Sequence, residues 1–145
     1  MFVVDVASGE LRPLTDDEVA GQELISRPVS PDGRRAIVHR NDGYFVLPVD
    51  GGAPAKVEGL SSAQIPLGWL DADSLLVRQP GLPSRITVVQ PDGRKARPWR
   101  DLKPPDAAGV ADIPWVYVAL DPGSGAYAYS YEQIMSELFL VRGVE

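Results

Sequence analysis

The sequence offers few groups that could catalyse a reaction, and its single histidine, His39, is the first to weigh. A serine hydrolase would need His39 beside a nucleophilic serine and a carboxylate, but no Gly-x-Ser-x-Gly segment presents such a serine. His39 also lies in an alternating apolar segment, at a position that is predicted to face outward. We therefore predict no catalytic residue and interpret His39 as a histidine at the edge of a strand.

Two short motifs resemble parts of ligand-binding loops. Asp71-Ala72-Asp73-Ser74 has the spaced aspartates of a calcium loop, but the glycine and the distal glutamate of such a loop are missing. Gly123-Ser124-Gly125 lacks the Lys-Ser/Thr pair of a phosphate-binding loop. Both motifs are interpreted as connections between strands, so the sequence predicts no metal site and no cofactor.

Aromatic side chains form two groups that could either pack in the core or bind a ligand. Trp69 and Trp115 lie in the first predicted strand of their repeats, which favours packing between neighbouring blades over a ligand platform. Three tyrosines alternate along a later strand and share one face, which favours packing but leaves a recognition stripe as the alternative. The residues concerned are Trp69, Trp99 and Trp115, and Tyr127, Tyr129 and Tyr131.

The strongest candidate for ligand binding is the stretch of residues 101–114. It is extra length between repeated units, and such insertions become loops on one face, where binding is usually located. Its polar residues could contact either a protein or a small molecule. The candidate binding residues are Asp101, Lys103, Asp106 and Asp112.

Composition limits the classes of partner. The 145 residues carry a formal net charge of -6, and no cluster of Lys and Arg suited to phosphates occurs, so we expect no nucleic-acid partner. No apolar run approaches the ~20 residues of a membrane helix, and the first residues lack the pattern of an export signal. We expect no membrane insertion by this segment, while the absence of cysteine leaves the compartment open.

Turn signals dominate the elements that must position these residues. In Ser30-Pro31-Asp32-Gly33, proline presets φ, aspartate bonds its own backbone, and glycine accepts the positive φ that reverses the chain. We predict a positive φ at Gly33, followed by a strand from residue 35. Alternation along the strands predicts that Trp69 is buried, whereas Arg78 and His39 are more exposed.

Two turn markers recur at spacings of similar length. Glycines of the outer turns lie 43 and 41 residues apart, and aspartates of the inner turns lie 39 and 50 residues apart. Spacings of about 40 to 50 residues are typical of four-stranded propeller blades. The glycines are Gly9, Gly52 and Gly93, and the aspartates are Asp32, Asp71 and Asp121.

The repeats predict an all-β partial β-propeller of about three and a quarter four-stranded antiparallel blades in an open arc. The units are a half blade (1–15), two blades (27–58 and 64–100), the insertion loop (101–114) and a last blade without its outer strand (115–145). Apolar side chains at the two ends would then meet water, and we expect the isolated chain to self-associate. These side chains include Phe2, Val4, Phe139 and Val141.

Ser30-Pro31-Asp32-Gly33 resembles the WD-like propeller repeats of TolB-type proteins. Residues 127–131 and 136–143 resemble the end of propellers that follow the catalytic domain of some bacterial serine/threonine protein kinases, and residues 101–110 resemble the preceding segment there. The resemblance implies a non-catalytic interaction or sensing module, the C-terminal fragment of such a kinase. No kinase motif occurs in the chain, so phosphoryl transfer is not implied.

Two alternatives remain open. The first is the accessory propeller of a serine peptidase of the prolyl oligopeptidase type, which gates access to a hydrolase domain. Such a propeller should run on into an α/β-hydrolase, whereas the tail of this chain resembles a terminus. The second is a TolB-like envelope protein, for which an export signal would be expected.

Overall fold

A computed structural model describes residues 1–15, 25–61, 63–118 and 125–136. These residues contain thirteen β-strands and no helix, and in particular no helix that is long and apolar enough to cross a membrane. The strands are β1 (Phe2–Val4), β2 (Leu11–Pro13), β3 (Arg35–Arg40), β4 (Gly43–Pro48), β5 (Ala55–Lys56), β6 (Ile65–Trp69), β7 (Leu75–Gln79), β8 (Ser84–Val89), β9 (Ala96–Leu102), β10 (Val110–Asp112), β11 (Val116–Val118), β12 (Tyr127–Tyr129) and β13 (Glu132–Gln133).

The strands form five antiparallel sheets, and none of the sheets closes on itself. Their orders are β1-β2, β3-β4-β5, β6-β7-β8-β9, β11-β12 and β10-β13. The prediction of an all-β fold is confirmed. We call β6-β7-β8-β9 the middle sheet and β1-β2 the N-terminal hairpin.

The turn before β3 has the predicted geometry. Gly33 has a φ of 72°, and its amide donates to the carbonyl oxygen of Ser30 at 2.8 Å. A carboxylate oxygen of Asp32 accepts from the hydroxyl of Ser30 and from the amide of Arg34, and these bonds hold the pKa of Asp32 below its usual value. The predicted positive φ at Gly33 is confirmed.

The middle sheet is covered on both faces. Along β7, Leu75 and Val77 belong to one cluster of buried side chains, whereas Leu76 between them belongs to the other. The first core cluster joins the middle sheet to β3-β4-β5 and comprises Ile25, Ile37, Val46, Val57, Trp69, Leu75, Val77 and Val89. The second core cluster joins it to the segment around β11 and comprises Leu67, Leu70, Leu76, Ile86, Val88, Leu102, Ile113 and Val116.

Trp69 is fully buried in the first core cluster, as predicted, and its indole Nε1 donates to the carbonyl oxygen of Pro28 at 3.0 Å. The neighbouring Gly68 has a φ of 135° and forms a parallel bridge with Arg27. A Cβ atom at Gly68 would lie 2.5 Å from the carbonyl oxygen of Arg27, so only glycine permits this close approach.

The predicted exposure of Arg78 is wrong. Its side chain is only 5% exposed, because the face of β7 on which it lies is covered by residues 113–116 rather than by water. Alternation predicts exposure only where one face of a sheet is solvated. His39 is half-buried, since its ring stacks on Tyr44 with the ring centroids 4.5 Å apart.

The N-terminal hairpin is exposed. Phe2 is 66% exposed and Val4 is 53% exposed, as predicted for an apolar face without a neighbour. Phe139 and Val141, which were predicted to behave in the same way, lie outside the described residues.

Candidate functional site

A cavity of about 140 Å³ lies between β6 and β11, beside the segment that precedes β3. A side-chain hydrogen bond holds the segment before β3 against β6: the hydroxyl of Ser26 donates to the carbonyl oxygen of Leu67 at 2.8 Å. The wall on the β11 side carries Trp115 and Tyr117, which are 44% and 55% exposed. The cavity therefore combines a buried floor with an aromatic rim open to solvent.

Arg78 is the charged residue in the wall of this cavity. Its Nη1 donates to the carbonyl oxygen of Ile113 and to that of Pro114, the latter at 3.0 Å. These bonds connect β7 to the segment that leads into β11. Nε is buried without a hydrogen-bond partner, and no carboxylate among the described residues forms an ion pair with Arg78.

Among the described residues, the lack of an ion pair at Arg78 contrasts with Arg35, which also connects two parts of the fold. Arg35 reaches the carbonyl oxygen of Ala72 and also the carboxylate of Asp73, at 2.9 Å. A guanidinium stays protonated under all ordinary conditions, so burial cannot neutralise it. A buried charge is costly unless an opposite charge accompanies it, and Arg78 therefore marks a place suited to an anion.

The structure does not gather the four predicted binding residues into one site. Asp101 lies in β9 opposite Arg85, and Asp112 lies in β10 opposite Glu132. A carboxylate oxygen of Asp106 accepts from the amide of Ala108 at 2.9 Å. Across the ranges that the structure describes, no hydrogen bond or ion pair joins the side chains of Asp101, Lys103, Asp106 and Asp112.

The predicted insertion loop of residues 101–114 is strand at its start and again near its end. Residues 101 and 102 continue β9, and β10 pairs with β13. The carbonyl oxygen of Lys103 accepts from the hydroxyl of Tyr129 at 2.8 Å, and that of Ala108 accepts from the side-chain amide of Gln133 at 2.7 Å. The segment is thus tied to β12 and β13 along its length.

The aromatic groups divide between core and surface. Trp99 meets Tyr127 edge to face at 5.6 Å, and Tyr127 stacks on Tyr129 at 6.4 Å. Trp99 and Tyr129 pack against the second core cluster, in line with the favoured packing role, whereas Tyr127 and Tyr131 are 39% and 44% exposed. The packing predicted for Trp115 is wrong, because its side chain reaches solvent at the rim of the cavity.

Of the two short motifs that resembled parts of ligand-binding loops, the structure describes only the first in full. A carboxylate oxygen of Asp71 accepts from the amide of Asp73 at 2.9 Å, as in an aspartate turn. No group of three side chains suited to a metal occurs among the residues with described positions. Residues 123 and 124 lie outside that set, so the glycine-serine motif has no structural description.

The cavity was missed at the level of sequence because its walls come from residues 26, 78 and 115, which are far apart along the chain. One signal pointed to it: Arg78 follows the apolar run Leu75-Leu76-Val77 in a strand of the middle sheet. A charge that directly continues such a run is a candidate for a buried functional group.

No family model, no curated protein and no solved structure matches this chain.

Proposed function

We propose that this chain is part of a β-propeller that serves as a non-catalytic interaction or sensing module, in the C-terminal region of a bacterial serine/threonine protein kinase. The propeller architecture is supported by the stacking of successive antiparallel sheets, since the middle sheet contributes to a core cluster on each face. Blades of a propeller pack on both neighbours in this manner. The kinase context is supported by the resemblance of residues 101–110, 127–131 and 136–143.

The observation that carries the binding role is the cavity between β6 and β11. β6 begins the middle sheet and β11 begins the sheet β11-β12, and residues of both strands line the cavity. Its rim exposes Trp115 and Tyr117, and large aromatic side chains are enriched at recognition surfaces. A module that binds without catalysis needs such a preformed concave surface and no reactive group.

The open end of the array supports the view that the module continues beyond these sheets. Neither strand of the N-terminal hairpin pairs with a third strand in the described ranges, and one of its faces exposes Phe2, Val4 and Leu11. Apolar faces beside unpaired edges promote association with further strands.

Sedimentation and light scattering of the purified chain test this proposal. We expect the apparent mass to rise with concentration, and the double variant Phe2→Ser/Val4→Ser to reduce that rise. Leu82→Ser is the matched control, because Leu82 is similarly exposed but lies in the loop between β7 and β8. A monomer that unfolds cooperatively across a wide range of concentration would contradict the open array.

The coding sequence upstream of Met1 tests the kinase context. We expect it to encode a Gly-rich loop, a His-Arg-Asp segment and an Asp-Phe-Gly segment. A hydrolase domain with a Gly-x-Ser-x-Gly elbow in the same reading frame would instead assign the sheets to a peptidase.

A further inference from the structure

We propose that the cavity beside Arg78 binds a carboxylate group attached to a small apolar body. This inference rests on the proposed binding role and names the chemistry of its ligand. Three features carry it: the hydrogen-bonding edge that Arg78 leaves unused, the charge of the cavity walls, and the shape and polarity of the remaining space.

The unused edge of Arg78 has the geometry that a carboxylate requires. A guanidinium is a planar fork, in which Nε and Nη2 donate in parallel from one edge. Nη1 is occupied by the carbonyl oxygens of Ile113 and Pro114. Nε has no partner, and Nη2 donates to no group in the part of the chain that the structure describes. A carboxylate that reached this edge would accept from both nitrogens, one with each oxygen, as in the fork pairs of arginine.

The charge of the walls favours a monoanion. Arg78 is the only charged side chain that lines the cavity among the described residues, and the other walls include Leu67, Pro114 and Val116. A single guanidinium balances one negative charge. A phosphate dianion would keep surplus charge and further oxygens against apolar walls, which is costly. A carboxylate leaves neither surplus charge nor a further oxygen against the apolar walls.

The remaining space suits an apolar group of modest size. The cavity volume of about 140 Å³ is close to the ~150 Å³ of an apolar cavity that accepts benzene. Trp115 and Tyr117 stand at the rim, where they would cover the apolar part while the carboxylate reaches Arg78. Both a short-chain carboxylic acid and the C-terminal residue of a peptide have this form.

Isobutyrate and isobutyramide form a matched pair of probes, since they differ in charge but hardly in shape. We would titrate each into the complete 145-residue chain and follow tryptophan emission, with Trp115→Phe to assign the signal to the rim of the cavity. We expect a saturable change with isobutyrate that Trp115→Phe abolishes, and no saturable change with isobutyramide. Equal responses to both probes, or no saturable response to isobutyrate, would overturn the proposal.

Arg78→Lys tests the two-donor edge, because lysine keeps the charge but not the planar fork. We expect half-saturation at a concentration at least tenfold higher. Arg35→Lys is the matched control, since Arg35 also spans a sheet contact but is already paired with Asp73, and it should leave half-saturation unchanged. Unaltered isobutyrate binding by a folded Arg78→Lys chain would overturn the proposal.

Tyr117→Glu keeps the test decisive if Arg78→Lys does not fold. Tyr117 is an exposed residue of the rim, so the substitution should be tolerated, and it supplies a tethered carboxylate that competes for Arg78. We expect Tyr117→Glu to weaken isobutyrate binding at least tenfold and Tyr117→Gln to weaken it much less. Equal effects of the two substitutions would count against a carboxylate site.

The source of the carboxylate is decided by a tripeptide, Gly-Gly-Val, with a free or an amidated C-terminus. Binding of the free peptide at least tenfold tighter than isobutyrate identifies a peptide C-terminus, and equal affinity identifies small acids. The two proposals can fail independently. A chain that associates but does not bind isobutyrate would contradict only the carboxylate site. A strictly monomeric chain that binds isobutyrate removes only the propeller.

Discussion

The N-terminal hairpin and the β6-β7 hairpin of the middle sheet have similar local chemistry but opposite environments. In each turn an aspartate oxygen accepts an amide two residues on: Asp5 from Ala7, and Asp71 from Asp73. Yet Phe2 of the first hairpin is mostly exposed, whereas Trp69 of the second is fully buried. Turn residues therefore determine that a hairpin forms, and the neighbouring sheets determine whether it is stable.

The difference should appear in the free energy of unfolding. An isolated two-stranded hairpin is marginal in water, because burial of apolar surface contributes only about 25 cal/mol per Å². The middle sheet buries both faces in the two core clusters, while the N-terminal hairpin buries little. Matched substitutions in the two regions therefore measure how much of the free energy of unfolding depends on packing against neighbouring sheets.

Truncation of the buried tryptophan should give the largest effect. Trp69→Ala removes the central side chain of the first core cluster and its hydrogen bond to Pro28, and should lower the free energy of unfolding by about 3–5 kcal/mol. Phe2→Ala in the N-terminal hairpin should change it by less than about 0.5 kcal/mol. Urea titrations of both variants check this. Similar losses would mean that the hairpin is as well packed as the middle sheet.

Gly68→Ala should rank second. The added methyl would meet the backbone of Arg27, and the φ of 135° is strained for any other residue, so we expect a loss of about 3 kcal/mol. Gly9→Ala, in the N-terminal hairpin, is the control, because its Cβ would meet nothing within 4 Å. Thermal unfolding of the two variants gives the ranking. A mild Gly68→Ala would contradict the close approach of residue 27 to β6.

Features set by local chemistry could be predicted from the sequence. The positive φ of Gly33 follows from three adjacent residues, and the strands β3 and β4 follow from a turn between two apolar runs. The burial of Trp69 follows from its size and its place in a strand. None of these depends on knowing which sheet lies next to which.

Features set by distant packing could not be predicted. Arg78 is buried because residues 113–116 cover the second face of β7. The residues of β7 alone do not indicate which segment covers that face. The pairing of β10 with β13 joins short segments with no clear alternation of apolar residues. To predict the cavity, one would need both the local pattern of β7 and the identity of the distant segment that covers it. The site predicted at residues 101–114 relied on loop length alone.

Gly33→Ala should have a smaller effect than Gly68→Ala. Nothing lies within 4 Å of the Cβ position, so only the positive φ opposes alanine, and we expect a loss of about 1 kcal/mol. Chemical unfolding measures it. A loss as large as that of Gly68→Ala would show that the turn, rather than packing, limits the stability of β3.

The smallest effect concerns the pH dependence of unfolding. The hydroxyl of Ser30, and then the amide of Arg34, lower the pKa of Asp32 below 3.8 in the folded chain. A depressed folded pKa contributes stability above the unfolded pKa, and this is lost as pH falls through the folded value. We expect Asp32→Asn to lower the unfolding temperature at about pH 6, and this effect to shrink as the pH falls below 3.8 and through the folded pKa.

Asp5 provides the matched comparison, because bonds from the amide of Ser8, from its hydroxyl and from the amide of Ala7 lower its pKa as well. If the N-terminal hairpin opens independently of the sheets, its titration is not coupled to global unfolding. Asp5→Asn should then leave the unfolding temperature unchanged at every pH, as followed by circular dichroism from about pH 3 to pH 6. Equal pH-dependent shifts for Asp5→Asn and Asp32→Asn would show that the hairpin unfolds together with the sheets, and the contrast between the two regions would then be one of exposure only.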